Sequence, residues 1–279
     1  MKRGILKLSI LCILFAGPGI AVYAAGPYGE GKDKIIIEGS TTVLPIAQAA
    51  AETFMRQNTE MDISVRGGGS SVGIASLIDK TCDIADASRA IKDIELEKAA
   101  ANGVSPKAHV VAMDGICVIV NNSNPISALN RKQVKDIYTG KISNWSQLGG
   151  SNEKIVVISR DTSSGTFEAF MTLVLEGQKV RPDALMQASN QAVASTVSRT
   201  PGAIGYVGLG YLSSEIKALE IDGVMHSKET VLGGKYPISR PLFMYTDNTP
   251  SGRIRDFIDF VKSAEGQKIV NEQGFVALK

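Results

Sequence analysis

The sequence has few of the residues that several common classes of function require. Aromatic residues make up only 6% of the 279 positions, which argues against a surface on which single-stranded nucleic acid could stack. The two histidines and the cysteines do not stand at the spacing of metal ligands, so we expect no metal and no cofactor. After the first two dozen residues, no apolar run is long enough to span a membrane.

The first 24 residues have the features of a secretory signal peptide. The basic residues at its start are Lys2, Arg3 and Lys7. An apolar stretch over residues 8–20 follows, and Ala24 supplies the small residue at a cleavage site. The residues before Cys12 are Ile and Leu, not the small side chains of a lipoprotein cleavage site. We therefore predict that residues 1–24 are removed and that the mature protein is periplasmic and carries no lipid anchor.

The mature chain is nearly neutral. Removal of the leader changes the formal net charge from +2 to −1, because the leader carries three basic and no acidic side chains. A near-neutral protein has no electrostatic attraction for nucleic acid or for an anionic membrane surface. We therefore expect a protein that does not bind nucleic acid.

Two cysteines remain after the leader, Cys82 and Cys117, both in apolar, strand-like surroundings. In an oxidising compartment they could form a disulfide. Two buried free thiols fit the same surroundings, and the sequence does not give the distance between the two residues. The sequence is therefore compatible with a disulfide and with two free thiols.

A turn that follows the apolar run at residues 155–158 is the central feature of the sequence. The run ends at Arg160, and the small polar residues after it lead into a helix predicted over residues 167–175. A helix start presents unpaired N–H groups and a positive dipole end, so it attracts anions. The residues that could complete an anion site are the cation Arg160, the hydroxyl donors Ser163, Ser164 and Thr166, and Gly165, which allows close approach. Ordinary helix capping is the alternative, since Ser and Thr are favoured there for capping alone.

The same strand–turn–helix arrangement occurs twice more. Residues 34–38 form a strand that is followed by Gly-Ser-Thr-Thr at 39–42 and a helix over 46–57. Residues 62–65 form a strand that is followed by Gly-Gly-Gly-Ser at 67–70 and a short helix over 74–80. Successive glycines allow a nest of backbone N–H groups around a small anion. Ser88 ends a further short strand and could add another donor.

Residues 69–73 also match G-x-S-x-G, the pattern of a nucleophilic serine at a strand-to-helix turn. A serine hydrolase that uses Ser71 is therefore the enzyme alternative. It would need a histidine, and His109 and His226 are the two in the chain. Because an isolated histidine is usually a solvated surface residue, we expect a protein that is not an enzyme.

Strands and helices alternate along the mature chain, which predicts an α/β protein with a mainly parallel sheet. The apolar run over residues 110–120 is interrupted by Asp114 and Gly115 and is long enough to cross from one domain to another. A carboxylate inside such a run must be paired or hydrogen-bonded, or it must lie at a bulge that exposes it to water. A strand at residues 241–246 could return the chain to the first domain.

Five short motifs, in their order, resemble those of the periplasmic phosphate-binding proteins of ABC transporters. They are Gly-Ser-Thr-Thr at 39–42, Gly-Gly-Gly-Ser at 67–70, Asp-Ile-Tyr-Thr-Gly-Lys-Ile-Ser-Asn-Trp at 136–145, Arg-Asp-Thr-Ser-Ser-Gly-Thr at 160–166 and Pro-Gly-Ala-Ile-Gly-Tyr at 201–206. The similarity covers nearly the whole mature chain. It implies a type II periplasmic binding protein fold, in which two α/β domains joined by two crossing strands close over a ligand. The implied domains are residues 25–113 together with 241–279, and residues 114–240.

The resemblance also implies a function. Proteins of this family capture inorganic phosphate between the two domains and deliver it to the membrane permease of an ABC transporter. The ligand contacts of the family carry over to Ser40, Thr41, Thr42, Ser70, Arg160, Ser164, Gly165 and Thr166. The guanidinium of Arg160 would supply a charge-assisted contact of suitable geometry. We expect the protein to act as a monomer.

The chain departs from the family at one position that governs selectivity. Well-known members carry, at the position of Ser88, an aspartate that accepts the proton of phosphate and repels fully ionised sulfate. We expect Asp114 to take this role here, with Asp86 and Asp161 as lesser candidates, and Ser88 to add a hydroxyl donor. A binder of another tetrahedral oxyanion such as sulfate is the alternative, and a signalling or adhesion role on the same fold is a further one.

Overall fold

The computed structural model describes residues 33–278, so the predicted leader and its cleavage site lie outside the described residues. The strands are β1 (Asp33–Gly39), β2 (Met61–Gly67), β3 (Ile84–Ala87), β4 (Pro106–Asn121), β5 (Ala128–Leu129), β6 (Val156–Arg160), β7 (Leu185–Gln187), β8 (Ala203–Gly208), β9 (Ile216–Ala218), β10 (Glu220–Ile221) and β11 (Ser239–Asp247). The helices are α1 (Leu44–Gln57), α2 (Ser70–Ile78), α3 (Asp93–Ala101), α4 (Arg131–Tyr138), α5 (Gly165–Leu173), α6 (Asn190–Arg199), α7 (Lys228–Leu232), α8 (Gly252–Lys262) and α9 (Ala264–Glu272). The predicted α/β class is confirmed.

The long strand β4 connects two groups of strands, because its two halves pair with different neighbours. Residues 106–115 run antiparallel to β11, and residues 116–121 run antiparallel to β8 and β9. A continuous sheet results, in the order β2-β1-β3-β11-β4-β8-β6-β7, with β9 also beside β4. The change of partner falls between Gly115 and Ile116, where the sequence predicted that a strand crosses from one domain to the other.

The prediction of a mainly parallel sheet is wrong, because the sheet is mixed. β1 is parallel to β2 and β3, and β6 is parallel to β7 and β8. β4 and β11 instead run antiparallel to their neighbours. These two strands connect the two parallel groups, and the alternation of helices and strands along the chain does not reveal their direction.

Short elements account for the other differences from the sequence prediction. Residues 211–223 were predicted as a surface helix and a strand. They contain the two short strands β9 and β10 instead, and Tyr211 is the last residue of a 3-10 turn, Leu209–Tyr211. The strands β5 and β7 and the helix α7 were not predicted. Each has five residues or fewer, which is too short for hydrophobic periodicity to appear.

The buried apolar side chains form separate clusters. One contains Phe54 and Phe257, whose ring centroids lie 5.6 Å apart, and it draws on residues 35–112 and 242–275. Another contains Trp145 and a stacked pair, Phe170 and Tyr206, with ring centroids 4.0 Å apart. Except for Val276, its buried members come from residues 116–238. The domain boundaries at 113/114 and 240/241 stay a prediction.

Two features are absent from the described part of the chain. Among residues 33–278 there is no helix with the length and apolar character needed to cross a membrane. The same residues contain no group of three or more His, Cys, Asp or Glu side chains that could hold a metal ion.

The two cysteines of the described chain are free thiols, and both are buried. Burial, together with the nearby carboxylates Glu38 and Asp83, raises the pKa of the Cys82 thiol to about 12. Burial also raises the pKa of Cys117 well above its usual range. Because the thiolate is the reactive form, both cysteines should be inert in the folded protein.

We expect a chain that lacks residues 1–24 to show no reaction with Ellman's reagent at neutral pH while folded. Both thiols should react once the protein is unfolded in guanidinium chloride without reductant, because unfolding exposes them and restores their ordinary pKa. The absence of titratable thiol after unfolding would instead show that Cys82 and Cys117 are oxidised to a disulfide.

Candidate functional site

The central turn of the sequence leads into α5, which begins at Gly165, two residues before the predicted start. Ser164 is the N-cap residue, and its Oγ accepts a hydrogen bond from the Phe167 N–H at 3.2 Å. Gly165 and Thr166 therefore occupy the first helical turn, where the N–H groups have no acceptor within the helix. Capping uses a lone pair of the Ser164 hydroxyl and leaves its proton available to a ligand. The capping and anion-binding interpretations are therefore compatible.

The structure brings the three predicted junctions together. A Cβ atom built at Gly165 would lie only 2.3 Å from Ser70 Oγ and 2.8 Å from Ser88 Oγ, so only glycine allows this approach. Ser70 Oγ accepts a hydrogen bond from the Ser88 N–H at 3.0 Å. Thr42 Oγ1 and Thr166 Oγ1 lie 2.9 Å apart. We call this group the polar cage; its side chains are those of Ser40, Thr41, Thr42, Ser70, Ser88, Arg160, Ser164 and Thr166, all buried.

The predicted nest of glycine N–H groups is wrong. The N–H groups of Gly68 and Gly69 both donate to the carbonyl oxygen of Gly39, at 2.8 Å each. They tie the turn after β2 to the turn after β1, and they are not free to bind an anion. The contribution of this motif to the polar cage is the Ser70 hydroxyl.

Arg160, at the end of β6, has the properties of a fixed cation. Its side chain is buried, with Nε donating to the Gln187 carbonyl at 3.1 Å and Nη2 donating to the Ala188 carbonyl at 3.0 Å. The buried Nη1 has no hydrogen-bond partner among the described residues. Burial lowers the pKa of the guanidinium, which nevertheless stays charged under physiological conditions. Arg160 therefore presents a positive charge and unused donors.

A second buried guanidinium, Arg240 on β11, was missed by the sequence analysis. Its Nε and Nη2 donate to Asp114 Oδ2 at 3.1 and 2.9 Å. Nη2 also lies 2.9 Å from Thr166 Oγ1, and Nη1 donates to the Ser88 carbonyl at 3.0 Å. The local sequence Ser-Arg-Pro does not distinguish this arginine from one exposed at the start of a strand.

Asp114 on β4 is fully buried and paired, so the bulge that would expose it to water is not formed. Oδ1 accepts from the Leu209 N–H at 2.9 Å, and Oδ2 accepts from Arg240. Burial raises the pKa of the carboxyl group, while the charge of Arg240 and the N–H donors act in the opposite direction. Since Arg240 also contacts Thr166, Asp114 lies one residue away from the polar cage.

The two lesser carboxylate candidates differ from each other. Asp161 accepts hydrogen bonds at Oδ1 from the Ser163 N–H, at 2.8 Å, and from the Ser163 hydroxyl. Asp86 is buried, and neither of its carboxylate oxygens has a hydrogen-bond partner among the described residues. Burial therefore raises the pKa of Asp86 well above its ordinary value. Its backbone carbonyl accepts from the Ser40 N–H at 2.8 Å.

Asn190, the first residue of α6, is another residue that the sequence analysis missed. Its Nδ2 donates to Thr41 Oγ1 at 3.1 Å and to Thr42 Oγ1 at 3.0 Å. Its Oδ1 accepts from the Gly208 N–H at 3.2 Å. In the sequence, an Asn after Ser189 suggests only an ordinary helix start.

A cluster of charged side chains joins the start of α3 to α5; we call it the Glu168 cluster. Glu168 Oε2 lies 2.5 Å from Arg89 Nε, and Glu168 Oε1 lies 2.8 Å from Lys92 Nζ. Arg89 also pairs with Glu95 at 2.7 Å. Because Arg89 directly follows Ser88 and Glu168 follows Thr166 by two residues, the cluster lies next to the polar cage.

Ser71 belongs to this cluster and not to a catalytic triad. Its Oγ donates to Glu168 Oε1 at 3.3 Å and accepts from Arg89 Nη2 at 3.0 Å. The nearest partner of His109 Nε2 is Thr246 Oγ1, at 2.9 Å. Within the part of the chain that the structure describes, Ser71 has no histidine partner, so the arrangement that a serine hydrolase needs is not assembled.

Comparison with known proteins identifies relatives over nearly the whole chain. Residues 26–265 match the family model described as the PBP superfamily domain. The phosphate-binding protein PstS of Bacillus subtilis is 33% identical, over 99% of this chain and 95% of the relative. The protein of the same name from Borreliella burgdorferi is 35% identical, over 90% of this chain and 92% of the relative.

A solved structure shows the same fold. It comes from Clostridium perfringens and is described as a phosphate ABC transporter substrate-binding protein with bound phosphate. It is 35% identical, covers 88% of this chain and 100% of its own, and superposes with a TM-score of 0.83. The predicted type II periplasmic binding protein fold is thereby confirmed. The chain belongs to the PBP superfamily and, within it, to the family of phosphate-binding proteins of ABC transporters.

Proposed function

We propose that this protein captures inorganic phosphate outside the cytoplasm and delivers it to the membrane permease of an ABC transporter. The observation that carries the proposal is the buried guanidinium of Arg160, whose Nη1 has no partner among the described residues, beside the donors at the start of α5. An anion would satisfy that group and the free N–H groups together. The relatives are named for the binding of phosphate, not for catalysis, which supports a binding protein over the hydrolase alternative.

The proposed ligand contacts are Ser40, Thr41, Thr42, Ser70, Ser88, Asp114, Arg160, Ser164, Gly165 and Thr166. They would be divided between two domains, residues 25–113 with 241–279 and residues 114–240. Contacts such as Thr42–Thr166 and Ser70–Gly165 join residues of the two proposed domains. Opening of the domains would break these contacts and release the anion to the permease.

The proposed place of action is the periplasm, reached through the signal peptide predicted over residues 1–24, with the protein acting as a monomer. A periplasmic protein can pass its ligand to the outer face of a permease. Free thiols at Cys82 and Cys117 are compatible with this compartment, because both are buried and inert.

We propose Asp114 as the carboxylate that distinguishes phosphate from sulfate. Burial raises the pKa of this carboxyl group, but Arg240 and the Leu209 N–H hold it in place and oppose that rise. Phosphate at neutral pH still carries a proton that such an acceptor can bind, whereas sulfate does not. Asp86 is the weaker candidate because burial without a partner raises its pKa, and a protonated carboxyl group does not repel sulfate.

Isothermal titration with phosphate, arsenate and sulfate at neutral pH tests the anion and the site. We expect phosphate and arsenate to bind and sulfate to compete only weakly. Arg160→Gln should weaken phosphate binding about tenfold to a hundredfold, as expected for the loss of a charge-assisted hydrogen bond. Arg131→Gln, which removes an exposed partner of Asp222, is the matched control and should bind normally. Equal affinity for sulfate, or normal binding by Arg160→Gln, would contradict the proposal.

The ratio of the sulfate and phosphate dissociation constants tests the role of Asp114. In Asp114→Asn the ratio should narrow about tenfold or more, because an amide can donate to sulfate where the carboxylate repels it. Phosphate affinity should fall as well, since Arg240 loses its partner. Asp86→Asn is a matched change at a second buried carboxylate and should leave the ratio unchanged. A narrowed ratio in Asp86→Asn alone would transfer the role to Asp86.

The Glu168 cluster should slow the release of phosphate, because its ion pairs join the two proposed domains. We expect Glu168→Gln to raise the dissociation rate about threefold to tenfold, as for the loss of one largely buried ion pair, with Arg89, and one partly exposed ion pair, with Lys92. Stopped-flow measurement at low salt gives this rate, and the difference should shrink at high salt. Glu176→Gln, which removes a surface ion pair with Lys135, is the control. Equal dissociation rates for Glu168→Gln and the unchanged chain would show that the cluster does not hold the domains closed.

A further inference from the structure

We propose that Asn190 and Arg240 are positioning residues that set the hydrogen-bond direction of the polar cage, so that the hydroxyls of Thr41 and Thr166 act as donors toward the anion while Thr42 acts through Thr166. The inference rests on the proposed function, because it concerns the same site. Neither residue is among the proposed ligand contacts, and both are buried. Each contacts the hydroxyl oxygens of the cage with N–H donors.

The orientation of the Asn190 amide is fixed by the backbone. Its Oδ1 faces the Gly208 N–H at 3.2 Å, and an N–H group can only donate. The other end of the amide, the NH₂ group, must therefore face the threonines. It donates to Thr41 Oγ1 at 3.1 Å and to Thr42 Oγ1 at 3.0 Å.

Arg240 acts in the same direction from the crossing strand β11. Its Nη2 lies 2.9 Å from Thr166 Oγ1 and 3.3 Å from Thr42 Oγ1. A guanidinium has no acceptor, so these oxygens can only accept from it. The ion pair with Asp114 holds the guanidinium in this position.

These contacts determine which hydroxyl donates and which accepts between Thr42 and Thr166. Arg240 Nη2 directs one N–H group to Asp114 Oδ2 and shares the other between Thr166 Oγ1 and Thr42 Oγ1. Thr42 Oγ1 accepts from Asn190 and from this shared N–H group, so its two lone pairs are used and its proton goes to Thr166 Oγ1, 2.9 Å away. Thr166 Oγ1 then accepts from Arg240 and from Thr42. Its own proton has no acceptor in this network and is left for the ligand. The Thr41 proton is left in the same way, since Asn190 donates to its oxygen.

The polarity of the cage has a consequence for anion binding. A free hydroxyl can present a lone pair or a proton, and a lone pair facing an anion is repulsive. Asn190 and Arg240 donate to the threonine oxygens and occupy their lone pairs before the ligand arrives. The hydroxyl protons then point to the ligand, so the site is preorganised as a set of donors. Thr42 acts in this scheme as a link between Asn190 and Thr166, and it does not spend its proton on the ligand.

A double-mutant cycle on phosphate affinity tests the relay. We expect Asn190→Ala and Thr166→Val each to weaken binding about tenfold to a hundredfold. Because both act through the same hydroxyl proton, the double variant should bind at least about threefold more tightly than the product of the single losses predicts. Thr166→Ser restores the hydroxyl and should recover most of the affinity that Thr166→Val loses.

An isosteric change separates polarity from packing. Asn190→Asp keeps the shape but can only accept and adds a negative charge, so it should capture the protons of Thr41 and Thr42 and, through both effects, weaken phosphate binding more than Asn190→Ala does. Asn121→Asp is the matched control. Asn121 is also buried, and its Nδ2 donates to the Val197 and Ser198 carbonyls at the end of α6, away from the cage. This variant should lose stability in thermal unfolding but keep its affinity.

Four results would overturn the proposal, and they can be distinguished. Additive losses in the cycle, or normal binding by Asn190→Asp, would reject the relay while the proposed function stands. Loss of affinity in Asn121→Asp as large as that in Asn190→Asp would show that the effect is structural. Failure of the unchanged, folded chain to bind phosphate would reject the proposed function, and the relay with it.

Discussion

The buried ion pair between Arg240 and Asp114 is the interaction on which the site depends. It joins the two crossing strands, β11 and β4, within a few residues of the point where β4 changes partners. Both groups are buried, and the removal of two charges from water is costly unless each is fully hydrogen-bonded. Here the carboxylate accepts from the Leu209 N–H and the guanidinium, while the guanidinium also donates to Ser88 and Thr166. Through these contacts the pair connects the crossing strands to Ser88 and Thr166 of the polar cage.

The pair also explains how the proposed anion site can operate with little net charge. Because Asp114 neutralises Arg240, the charge left for the ligand comes from Arg160, and the remaining contacts are hydroxyl and N–H dipoles. Dipoles fixed by the fold cost no reorganisation when the anion enters, and they act strongly in a site from which water is excluded. A site built in this way selects by the positions of donors and acceptors, so one well-placed carboxylate can decide between two oxyanions of similar size.

The sequence was sufficient to place residues whose position follows from a local pattern. Ser164, Gly165 and Thr166 were predicted as anion contacts because a strand, a small polar turn and a helix follow one another, and the structure places Ser164 at the N-cap of α5 and the other two in its first turn. Asn190 and Arg240 have no such local signal, because the cage threonines that they contact are more than 70 residues away in sequence. The glycine nest failed for a related reason. The N–H groups of Gly68 and Gly69 were free in the local pattern, but the Gly39 carbonyl on the neighbouring strand uses them.

The contacts between the two proposed domains differ in strength because they differ in their exposure to water. Inside the cage, the Thr42–Thr166 hydrogen bond is buried, and its loss would leave polar groups without partners in a dry site. At the Glu168 cluster, Lys92 is about half exposed, so its ion pair is screened by water and salt. A transport protein must both hold its ligand and release it. A ligand or a partner can shift the equilibrium between the closed and open states only by the difference in its binding free energy for the two states. Both kinds of contact between the two proposed domains contribute to the free-energy difference between these states: the buried Thr42–Thr166 hydrogen bond is insensitive to salt, whereas the ion pair of Lys92 contributes less as the salt concentration rises.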